Sequence, residues 1–81
     1  MALNRAVAVA EVEGPDRALS ILDGLDLERH HLFHAIRADL LRRLDRLPDA
    51  ALAYDAAIAR CDNRVERTFL TRRRDQCATR H

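Results

Sequence analysis

The sequence predicts an all-α fold of two antiparallel helix pairs plus a closing C-terminal helix. Pro15-Asp16-Arg17-Ala18-Leu19 and Pro48-Asp49-Ala50-Ala51-Leu52 echo each other 33 residues apart, and Arg5-Ala6 is echoed by Arg37-Ala38 at a spacing of 32. A period in the low thirties marks helix–turn–helix units, which bury their apolar faces only by stacking. Between these punctuation points the apolar residues recur at helical spacing. Two glycines, two prolines and three aromatic residues leave little material for strands or for base-stacking surfaces.

The first helix, about Ala2 to Glu13, is apolar at Leu3, Ala6, Val7, Val9, Ala10 and Val12, nearly around its circumference. A helix of that kind is covered on more than one side, and its pair partner covers only one. Gly14-Pro15 breaks the chain, with Pro15 at the first helical position, where its missing N–H costs nothing. The second helix carries Ala18, Leu19, Ile21, Leu22 and Leu25, with Gly24 near its end. After a polar connector, Asp26 to Arg29, the third is expected over about His30 to Arg46 on Leu32, Phe33, Ile36, Leu40, Leu41 and Leu44. Pro48 opens the fourth, with the stripe Ala50, Ala51, Tyr54, Ala57 and Ile58. Asn63 followed by Glu66 reads as a capping box for the fifth, which runs to about Cys77 with Val65, Phe69 and Leu70 inward.

With 48% hydrophobic and 33% charged residues, the composition is that of a folded helical domain, not a disordered chain. The 81 residues make a single domain with a thin core. The longest apolar run, Ala6 to Ala10, is far short of the roughly 20 residues that span a bilayer, and no secretory signal pattern is visible. A cytoplasmic location follows as the expectation. Cys61 and Cys77 lack metal-motif spacing and are expected as free thiols, with one disulfide between neighbouring helices as the alternative.

Charge is uneven along the chain. Residues 1–40 hold four Arg against seven acids, a net −3, whereas residues 41–81 hold ten Arg against six acids, a net +4. Arg67, Arg72, Arg73 and Arg74 give the last helix a basic side. Such faces are usually solvated, and direct nucleic-acid contact is disfavoured because acids interleave the arginines and stacking aromatics are scarce. His30 and His34 share a helix face, but zinc needs three or four converging ligands and none stands at matching spacing. No nucleophile–base motif or glycine-rich phosphate loop is present. The expectation is therefore no catalytic residue, no metal and no cofactor.

The helix-pair register resembles the tetratricopeptide repeat. In the second unit Ala38, Leu41, Ala50, Tyr54 and Ala57 fall at that repeat's small and large packing positions; in the first, Ala6, Val9, Ala18, Leu22 and Leu25 do. Departures are Arg5 and Arg37 where Leu is usual, Leu25 where Ala is usual, and Asp62 where Pro is usual. This register implies a concave groove lined by the first helix of each pair. Leu3, Val7 and Ala10 then stand beside Leu32, Ala35, Asp39, Arg42 and Arg43, an apolar floor with a charged edge suited to a peptide or helix.

A second resemblance covers nearly the whole chain. Leu3-Asn4-Arg5-Ala6-Val7-Ala8-Val9-Ala10, Gly14-Pro15, His31-Leu32-Phe33-His34-Ala35, Arg37 through Leu44 and Asn63 through Leu70 are similar to the C-terminal helical extension of a subgroup of bacterial extracytoplasmic-function sigma factors. That resemblance implies a C-terminal fragment of a longer protein, acting in transcription initiation through contacts with the sigma regions of the same polypeptide or with RNA polymerase. The alternatives are a DNA-contacting basic helical domain and a free-standing adaptor. The over-apolar first helix also implies a homodimer of the isolated domain.

Overall fold

The computed structural model describes residues 2–79, with side chains from Asn4 to Ala78. Five helices follow in order: α1 Ala2–Glu13, α2 Pro15–Asp23, α3 His31–Arg43, α4 Leu47–Arg60 and α5 Arg64–Thr79. No strand occurs among the described residues. Each helix packs chiefly on its neighbours in sequence, and α1 also touches α3.

Two ion pairs mark the shared direction of the odd-numbered helices. Arg43 reaches Glu11 at 3.6 Å, joining the C-terminal ends of α1 and α3, and His31 reaches Glu66 at 3.1 Å, joining the N-terminal ends of α3 and α5. Arg37–Asp23 and Arg74–Asp55 tie successive helices together side by side. The odd-numbered helices thus run one way and the even-numbered ones the other, as helix pairs joined by short turns require. These pairs are mostly half-exposed and add little stability. The apolar interior supplies most of it.

That interior alternates small and large side chains. Ala6, Ala10, Ala18, Ala38, Ala50, Ala53 and Ala57 are buried at the helix contacts, and Leu22, Phe33, Leu40, Leu41 and Tyr54 fill the space between. Alanine lets two backbones approach, and the long side chains then interdigitate at crystal-like density.

Local chemistry sets the boundaries. A single residue, Gly14, turns the chain from α1 into α2 at φ 101° and ψ 159°, a region open essentially only to glycine. The third helix begins at His31, not His30, whose extended backbone caps it, and stops at Arg43, not Arg46. There Asp45 adopts φ 60°, the Arg46 N–H donates to the Leu41 carbonyl and the Asp45 N–H to the Arg42 carbonyl. This is a Schellman stop with Asp in the usual glycine place, a residue that tolerates the left-handed region. The fourth helix starts at Leu47, one residue ahead of Pro48.

Two expectations for α5 are corrected. Val65 is 80% exposed and Phe69 53% exposed, so neither faces inward. Leu70 and Cys77, two turns apart, form the buried stripe against α4, and Phe69 lies under the Arg73 guanidinium at 5.2 Å. Asn63 does cap the helix, its Oδ1 accepting the Glu66 N–H at 3.0 Å. The Glu66 carboxylate goes to His31 instead of closing the box.

Candidate interaction site

The parallel placement of α1 and α3 leaves a cleft of about 170 Å³ between them. Val7 and Ala10 line it from α1; Ala35, Ile36, Asp39, Leu40 and Arg43 line it from α3. These residues share a wall because positions three and four apart lie on one helix face. Val7 remains 42% exposed, so the floor offers apolar surface to solvent.

The polar edge is organised around Asp39. Its Oδ1 accepts from Arg42 Nη2 at 2.6 Å and its Oδ2 pairs with Arg43 Nε at 3.0 Å. Arg43 also bridges to Glu11 across the mouth of the cleft. Arg42 does not line the cleft. Its guanidinium is held by Asp39 and also interacts with Tyr54 on α4, and its Nε is buried with no hydrogen-bond partner among the described residues. Asp39, and then Tyr54, hold that guanidinium more firmly protonated than usual. Burial pushes the Tyr54 phenol above its ordinary range, with Arg42 pulling part of the way back.

The Tyr54 shift has a measurable sign. Between the unfolded phenol's ordinary pKa near 10 and its higher folded value, the folded state binds more protons, so stability falls as pH rises. Urea midpoints should drop more steeply as pH rises past 10 for the wild type than for Tyr54→Phe. Parallel slopes in the two proteins would place the alkaline sensitivity elsewhere.

Of the other groove residues, Leu32 is exposed on the first turn of α3 and does not line the cleft. The Leu3 side chain lies outside the described residues. Ile36 and Leu40, not assigned from the sequence, take part in the wall. Their helical spacing to Asp39 and Arg43 is the signal that would have included them.

The four basic-face arginines do not act together. Arg67 and Arg72, with Arg64, Thr68 and Thr71, line a shallow depression on α5. Arg73 is occupied over Phe69, and Arg74 bonds Asp55 at 3.0 Å and Asp75 at 2.9 Å. Those carboxylates raise the Arg74 guanidinium further above its usual range.

The histidines also separate. His30 is exposed, and the His34 Nε2–H donates to the Glu28 carbonyl at 2.6 Å while its ring meets Phe33 edge-on. His31 instead faces Glu66, near the buried Cys61. No spacing rule foresees that grouping, because its members come from three different elements.

No described helix is long and apolar enough to cross a membrane. No protein-family profile and no solved structure matches the chain. The chain is 38% identical over 78 residues to an uncharacterized protein of Rhizobium meliloti (strain 1021). The match covers 94% of this chain and 18% of that protein, so the chain spans less than a fifth of the relative's length.

Proposed function

We propose that this domain is a non-catalytic, regulatory interaction module, tetratricopeptide-like in its stacking, that works in the cytoplasm at transcription initiation. It docks on sigma regions of the polypeptide that carries it, or on RNA polymerase. The observation that carries the interaction reading is the α1–α3 cleft: an apolar floor at Val7, Ala10 and Ala35, open to solvent at Val7, beside a charged edge at Asp39 and Arg43. Such a surface receives an amphipathic helix or an extended peptide. The transcription context rests on the sequence resemblance alone. Near full-length similarity to a small part of a much longer protein is what a module within a larger chain produces.

The test is transcription in vitro by the polypeptide that carries the domain, with Val7→Glu and Ala35→Glu placed in the cleft. Both positions have solvent access, so circular dichroism should show an unchanged fold. The expected result is altered initiation or regulation, with reduced affinity between the domain and its sigma regions or polymerase. Unchanged output, regulation and affinity would remove this reading. A nanomolar, sequence-specific DNA complex lost on replacing Arg64, Arg67 and Arg72 would put direct DNA contact in its place. A domain found only as a dimer whose dissociation follows Val7→Glu would assign the cleft to a second copy.

A further inference from the structure

We propose that His31, Cys61 and Glu66 form a binding site for one thiophilic divalent transition metal ion of the zinc class, a role independent of the cleft. The fold brings three unlike donors to one point. His31 opens α3, Cys61 follows the last turn of α4, and Glu66 sits in the first turn of α5. The imidazole nitrogen, the sulfur and a carboxylate oxygen all lie within 4.8 Å of one another.

The geometry suits a tetrahedral ion. Bond lengths of about 2.0–2.1 Å to nitrogen and oxygen and about 2.3 Å to sulfur put tetrahedral ligand atoms about 3.3–3.6 Å apart. His31 Nε2 and Glu66 Oε1 are already 3.1 Å apart, so that edge needs almost no movement. The sulfur is on a side chain with its own rotatable bond, and a modest closure completes the third corner. Donor chemistry selects the ion: thiolate with imidazole favours zinc-like metals over magnesium or calcium, which want oxygen alone.

Access and charge agree. The His31 and Glu66 side chains are 30% and 36% exposed, which admits an ion from solvent and leaves a fourth position for water. Cys61 is 4% exposed, so the thiolate side of the site is shielded. In this structure the His31 Nε2–H donates to Glu66 and the Cys61 thiol donates to the Asn63 carbonyl at 3.5 Å. Binding exchanges both bonds for metal bonds. Starting from neutral imidazole, the ring proton passes from Nε2 to Nδ1 through solvent and the thiol proton is released. One divalent ion replaces one proton, and the thiolate and carboxylate together neutralise it.

Two other potential donors, Cys77 and His34, lie outside the group. Cys77 is buried on α5 outside this group, and the His34 Nε2 is taken by Glu28. The experiment is titration of the reduced protein with Co2+, followed by Zn2+ competition, in the wild type, Cys61→Ser, His31→Gln, Glu66→Gln and Cys77→Ser. The expected result is one ion per chain, a thiolate-to-cobalt charge-transfer band and visible bands of four-coordinate intensity, all displaced by Zn2+. Cys61→Ser should lose the charge-transfer band, His31→Gln and Glu66→Gln should weaken binding at least about tenfold, and Cys77→Ser should behave as wild type. The half-exposed His31 and Glu66 variants keep the test decisive if Cys61→Ser fails to fold. Melting temperature should rise with Zn2+ in the wild type and not in His31→Gln. A wild type without the band, a band surviving Cys61→Ser, or wild-type affinity retained in His31→Gln and Glu66→Gln would overturn the assignment.

Discussion

Leu41→Ala will destabilise the protein by about 2–5 kcal/mol, the cost of emptying a core leucine site whose walls relax only in part. Leu41 is fully buried in α3, the helix that touches α1, α2 and α4, so no flexible surface element can collapse into the gap. A domain of this size holds roughly 4–12 kcal/mol in total, and the variant should therefore melt far below the wild type or fail to fold. Urea denaturation measures it: the midpoint should fall sharply with the slope preserved. Leu52→Ala is the matched control, because Leu52 is 68% exposed and its loss should stay within about 0.5 kcal/mol. Similar losses at both positions would show that Leu41 is not at the centre of the packing.

Gly14→Ala should cost about 1–3 kcal/mol, through the backbone and not through lost contact. At φ 101° an L side chain is strained whatever space it finds, and an added Cβ would lie 3.2 Å from Asp16 Oδ1. That oxygen also accepts the Arg17 N–H at 3.0 Å at the start of α2. Because the α1–α2 connection is this one residue, relief of the strain must swing one helix away from the other. Gly24→Ala provides the contrast: its backbone is right-handed and an added Cβ meets nothing closer than the Ile21 carbonyl at 3.5 Å. Equal melting shifts in the two variants would mean that Gly14 is not held in its unusual conformation.

These two positions also mark what the sequence does and does not disclose. Helix number and order are legible because Gly14-Pro15 and Pro48 punctuate strong apolar stripes, and the stripes of α2 and α4 are the faces that are buried. The stop of α3 is not legible, since Asp45 rather than glycine takes the left-handed position. The inward face of α5 is misread for another reason. Hydrophobicity favours Val65 and Phe69, but α5 is covered chiefly by α4, and the face so covered is that of Leu70 and Cys77. Cleft residues such as Val7, Ala35 and Asp39 can be placed on helix faces from periodicity. The interaction of Arg42 with Tyr54 and the meeting of His31 with Glu66, 35 residues on, depend on helix packing and have no local signature.

Packing of each helix on the next has a kinetic consequence. With most contacts made between sequence neighbours, little loop entropy precedes a productive contact, and folding in microseconds to milliseconds is the regime for such topologies. Protection against hydrogen exchange should then be graded along the chain, greatest in α3 and α4, which pack most extensively. Of the side chains described in α1, only Ala6 and Ala10 are buried, and alanines anchor a helix with little apolar area. Its amides should open before the rest. A ligand in the cleft would bridge that weakly held helix to α3, so docking would register as slowed exchange throughout α1, including positions the ligand never touches.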